Sequence, residues 1–113
     1  MTRRTIALYL SDIKKTIAKI EKYTKDLTEA KFAKDEKTQD AVIRNLEIIG
    51  EAVKSIPKEV KTKYSQIPWG KIISMRNKII HEYFGVDLEI LWQTVKHDIP
   101  ELKKEIKKIK TKE

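Results

Sequence analysis

The feature that most constrains this chain is its scarcity of breakers: three glycines and three prolines in 113 residues. Apolar residues meanwhile return at three- and four-residue steps almost throughout. Strands would need period-two alternation punctuated by turn-forming clusters, and the sequence has neither. It therefore reads as all-α. In the first segment Ile6, Tyr9, Leu10, Ile13, Ile17, Ile20 and Leu27 predict an amphipathic helix from about Arg3 to Lys25. Thr28 is placed to cap a short turn beyond it.

From about Asp35 a second long helix is expected, with Val42, Leu46, Ile49, Val53 and Ile56 on one line and Pro57 closing it. Ala41, Ile48, Ala52 and Ser55 form another stripe near its opposite side, as in a helix lying between neighbours or at a subunit contact. "KEVKTKYSQ" reads as a helical connector, and Pro68 starts a third helix that runs to about Tyr83. Gly85 is placed to end that helix and Asp87 to cap the next. The fourth carries Leu88, Leu91, Val95, Ile99, Leu102, Ile106 and Ile109, with a kink expected at Pro100 and Asp98 and Glu101 recapping its second half. The expected architecture is an up-and-down four-helix bundle with short extra helices, one domain over residues 1–113.

Composition excludes several chemistries. There is no cysteine, hence no disulfide, thiolate site or thiol nucleophile, and two histidines, His81 and His97, are too few for the usual zinc cage. No apolar run approaches a membrane span, and the five residues from Ile6 to Leu10 are short for a signal peptide, so a cytoplasmic protein is expected. The net charge of +8 favours contact with nucleic acid. Much of that excess lies in "ELKKEIKKIKTKE", where a solvated helix end explains lysines as well as RNA does.

The third helix holds the chemically able residues. At about 100° per residue, Arg76 falls at the centre of an arc made by Ile72, Ile73, Ile79, Ile80 and Tyr83, while Asn77 and His81 share a flank about 100–140° round. An unpaired guanidinium on an apolar face is costly. It is received either by Glu47 or Glu51 of the neighbouring helix or by a ligand. Arginine and histidine together suit RNA cleavage without a metal: a neutral imidazole takes a proton from a ribose 2′-hydroxyl, and a guanidinium stabilises the phosphorane. Five residues apart, the two diverge by about 140° on one helix. A symmetric homodimer would bring both pairs into a shared cleft. Trp69, Trp92, Tyr9, Tyr23 and Tyr64 could stack on bases, though aromatics on helical stripes are usually core. His97, near the expected kink, reads as a surface or structural residue.

"RNKIIHEY" resembles the Arg-x4-His-x-Tyr motif of the HepT-like toxins, a branch of the HEPN ribonuclease superfamily. The likeness extends through "TQDAVIRNLEIIGEAVKSIP" and "YSQIPWGKIISMRNKIIHEYFGVDLEILWQTVKHDIPEL". It implies a dimeric helical toxin encoded beside a minimal nucleotidyltransferase antitoxin that transfers AMP from ATP to the motif tyrosine. On that resemblance Arg76 and His81 are the RNase pair, Asn77 a supporting polar residue and Tyr83 the modified hydroxyl, with no resident cofactor or metal. The alternative is a non-catalytic helical dimer that serves as an adaptor for the nucleotidyltransferase.

Overall fold

The computed structural model describes residues 6–81 and 87–109, together with their side chains except those of residues 75, 76 and 78–81. Among the described residues all regular structure is helical. Helix α1 (Ile6–Thr24) packs against α3 (Glu36–Ser55), burying Leu10, Ile13, Ile17 and Ile20 with Val42, Leu46, Ile49 and Val53. Each of these lies on the helical row that the spacing predicts. Two threonines on α1 are buried with them. Their hydroxyls donate back to the carbonyls of Asp12 and Ile20, both at 2.8 Å, so neither is left unpaired.

Short α2 (Glu29–Ala33) opens on Thr28, whose hydroxyl accepts from the Lys31 N–H at 3.2 Å. Asp35 then caps α3: one carboxylate oxygen accepts the Thr38 N–H at 3.0 Å and the other accepts the Thr38 hydroxyl at 2.7 Å. Those two bonds, the hydroxyl's first, hold the Asp35 carboxyl below its ordinary value of 3.8. Gln39 stitches the two helices together, its amide donating to the Phe32 carbonyl at 2.8 Å. Phe32 is fully buried, its ring centre 5.1 Å from that of Trp92.

The connector forms as α4 (Lys58–Lys63), started by Pro57, and contributes no buried residue. It is tied down from the next helix: the Trp69 indole N–H is shared between the carbonyls of Lys61 and Tyr64, at 3.2 and 3.1 Å. Helix α5 (Trp69–His81), which begins at this anchor, packs on α3. Asp87 caps α6 (Leu88–Gln93), accepting the Glu89 and Ile90 N–H groups at 2.9 and 3.3 Å. The expected role of Gly85 lies outside the described residues.

The proline region differs from expectation. No second cap forms: Asp98 has helical backbone angles and makes no side-chain cap bond. Instead a π-helical stretch, Thr94–Asp98, joins α6 to α7 (Ile99–Lys107), and the Ile99 N–H reaches the Thr94 carbonyl five residues back. The physical reason is Pro100 itself. It has no N–H to offer the Lys96 carbonyl four residues back, and its ring would press on that group. Widening one turn moves the carbonyl away without ending the helix. The Thr94 hydroxyl donates to the Ile90 carbonyl at 2.9 Å, in the turn of α6 that leads into the widened one. Helix α7 packs on α1, where Lys103 pairs with Glu21 at 2.9 Å. Its Ile99, Leu102 and Ile106 complete the core.

Candidate functional site

Helix α5 carries three of the four sequence-predicted site residues. Trp69 and Ile72 are buried and Ile73 is half-buried, which fixes the inner face of the helix against α3. Position 76 lies one turn beyond Ile72 along the helix. Position 81 falls about 140° round from it and roughly 7.5 Å further along the axis. Asn77, on the same flank as position 81, is half-buried. Continuous helix through His81 thus keeps the Arg76 and His81 positions on separate sides of one rod. Tyr83, expected as the modified hydroxyl, lies outside the described residues, as do any contacts of the Arg76 and His81 side chains.

The other sequence candidates fall largely on the bland side. Trp69 and Trp92 are buried, Tyr9 and Tyr64 are half-buried, and Tyr23 is 41% exposed. Only Tyr23 is placed to offer much ring surface to a base. Lys96 covers the Trp92 ring at 4.7 Å. His97 is exposed on the π-helical stretch, as expected of a surface residue. Glu47 is half-buried and Glu51 exposed, both on the helix that α5 packs against. Among the described residues no group of three His, Cys, Asp or Glu side chains is arranged to hold a metal ion.

One feature of the site region had no signal in the sequence. Between the first turn of α5 and the start of α7 lies a small open cleft of about 70 Å³. Ile72, Ile99 and Leu102, all buried, form its floor, with Pro68 at one end. Lys71, Asp98 and Glu101 stand at its rim, and the Lys71 ammonium lies 3.5 Å from an Asp98 oxygen. Residues 71 and 98 are far apart in sequence and meet only because the π-helical stretch carries Asp98 round to α5. No periodicity could have paired them.

An all-helical chain with arginine, asparagine and histidine spaced along one central helix is what a family comparison can now place. The chain matches the family described as "Ribonuclease HepT-like" over residues 13–109, and it belongs to that family. The matched span runs from within α1 to the end of α7 and encloses α5 entirely. It is 51% identical over 102 residues to the "Probable ribonuclease HepT" of Thermococcus cleftensis, covering 90% of this chain and 93% of that one. It is also 51% identical over 107 residues to a Methanocaldococcus jannaschii protein named "Gamma-glutamylcyclotransferase and putative RNase". That match takes in 95% of this chain but only 48% of the other, so the chain spans about half the length of that relative. No solved structure matches the chain. Among the described residues no helix is long and apolar enough to cross a membrane.

Proposed function

We propose that this protein is the toxin of a toxin–antitoxin pair, a metal-independent endoribonuclease whose cleaving site is completed by a second copy of the chain. The carrying observation is the family match, which encloses Arg76, Asn77 and His81 in register on α5. Since the two reactive positions lie about 140° apart on one helix, a two-fold pairing of α5 with its copy supplies the convergence that one chain lacks.

In the reaction His81 takes the proton of a ribose 2′-hydroxyl, and the freed oxygen attacks the adjacent phosphorus. Arg76 stabilises the charge on the phosphorane, and Asn77 supports the same phosphate. The P–O5′ bond then breaks, and the departing 5′-oxygen takes up a proton. The products are a 2′,3′-cyclic phosphate and a 5′-hydroxyl. DNA, lacking the nucleophile, is left intact.

Silencing uses Tyr83. The cognate nucleotidyltransferase antitoxin directs the tyrosine oxygen onto the α-phosphate of ATP, releasing pyrophosphate and leaving AMP on the ring. The added phosphate competes with RNA for Arg76.

Purified, unmodified protein is expected to cut RNA in the presence of a chelator, leaving cyclic phosphate ends. His81→Ala should abolish the cutting while light scattering still reports a dimer. RNA left uncut by the unmodified wild type would favour an adaptor for the nucleotidyltransferase over an enzyme. Co-expression with the antitoxin should raise the intact mass by AMP units, and Tyr83→Phe should remove the increment. An unchanged mass in both would end the modification claim.

A further inference from the structure

We propose that the cleft between α5 and α7 reads an unpaired guanine in the RNA that this protein cuts, an inference that rests on the ribonuclease reading and names part of its substrate. Three observations lead there. The first is position: Pro68, Ile72 and Arg76 follow one another at four-residue steps, so the row forming part of the cleft floor reaches the arginine position one turn on, roughly 6 Å along the helix. That is the scale of the distance between a phosphate and the base of a neighbouring nucleoside.

The second is shape. The floor made by Ile72, Ile99 and Leu102 is apolar and firm, with none of the three more than 4% exposed, and the cleft opens to solvent on one side. A flat ring can lie against such a floor with its polar edge at the rim. A phosphate or a sugar would leave the floor unused. Single-stranded RNA is read in this manner, by unstacked bases laid on side chains and hydrogen-bonded along their edges.

The third is the set of donors and acceptors at the rim. Guanine presents on its Watson–Crick edge one acceptor, O6, followed by two donors, N1–H and N2–H. The rim presents one ammonium, Lys71, and two carboxylates, Asp98 and Glu101. Lys71 donates to O6, while the carboxylates accept from N1–H and N2–H. Adenine and cytosine each offer a single exocyclic donor on that edge and leave one carboxylate without a partner beside the base, which disfavours them. At 3.5 Å the Lys71–Asp98 pair is too long for a good hydrogen bond, and its side chains are 62% and 37% exposed. A base edge can therefore replace it at little cost.

The test separates base reading from cleavage. Binding is measured by fluorescence anisotropy with His81→Ala, using single-stranded RNA of otherwise fixed sequence that carries one guanine, inosine or adenine. Guanine should bind about five- to a hundredfold more tightly than adenine, with inosine, which lacks N2–H, between them. The double variant Asp98→Asn, Glu101→Gln, made in the same background, should lose that discrimination while binding the adenine RNA as before. Its circular dichroism should match the parent, since both side chains are at the surface. Cleavage by the wild type is then mapped on a random RNA pool. Cutting with no guanine preference near the cut, or discrimination that survives the double variant, overturns the base-reading cleft and leaves the ribonuclease reading standing. Guanine-selective binding without cutting does the reverse. Equal binding of all three RNAs rejects the inference, and the cleft would then be a seat for a protein partner's side chain.

Discussion

Helices α3 and α5 are neighbours, yet they treat their inward faces differently. On α3 the inner row is Val42, Leu46, Ile49 and Val53, each fully buried. Its one buried amide, Asn45, is satisfied within the helix by donating to the Ala41 carbonyl at 2.7 Å. On α5 the inner row starts in the same way with Trp69 and Ile72, and the sequence carries an arginine one turn further on. A helix selected for stability alone would continue with leucine or isoleucine. The contrast sets residues that hold the fold beside a position that we propose serves a ligand.

Substitutions on the two helices should therefore have opposite signatures. His81→Ala should lower RNA cleavage by about 10²–10⁴-fold, the usual contribution of a positioned base, with no fall in thermal midpoint. Arg76→Leu should also abolish cleavage and leave stability unchanged or higher, because an aliphatic residue suits that row. If urea denaturation instead shows a loss of about 3–5 kcal/mol, the guanidinium is a structural partner of Glu47 or Glu51 and the contrast breaks down. On α3, Leu46→Ala should cost about 2–5 kcal/mol through the cavity it leaves, read by the same denaturation, with cleavage per folded molecule unaltered.

Smaller effects sharpen the picture at the helix ends and the surface. Asp35→Ala removes the α3 cap and should lower the thermal midpoint by a few degrees at neutral pH. Because the folded carboxyl is held below 3.8, the cap's contribution is complete above that pH and fades as pH falls through the lower folded value. Melting wild type and variant side by side should show their difference closing in acid. A constant difference would mean that the cap acts without its charge. Lys103→Met, which breaks the pair with Glu21, should cost less than about 1 kcal/mol, since both groups are about 40% exposed.

Much of this was legible in the residues. The buried rows of α1 and α3, the caps at Thr28 and Asp87, the start of α3 near Asp35 and that of α5 after Pro68 lie where spacing and cap chemistry put them. The assignment of Trp69 and Trp92 to the core rather than to base stacking also followed from their helical stripes. The handling of Pro100 was less legible. Sequence reasoning offered a break with new caps at Asp98 and Glu101, whereas the chain widens one turn and sends Asp98 to Lys71. Both solutions relieve the same clash, and the choice depends on what α1 and α5 place around that turn.

By itself, then, the sequence determined the helices and their inner faces, because each is a matter of neighbours within about two turns, where dihedral preference and apolar spacing act. Only the tertiary structure decided that α5 and the π-helical stretch meet across a cleft whose floor is apolar and whose rim carries one ammonium and two carboxylates. That juxtaposition joins residues 27 positions apart, Lys71 and Asp98, through the packing of three elements. No local pattern encodes a contact that exists only once the core between them has closed.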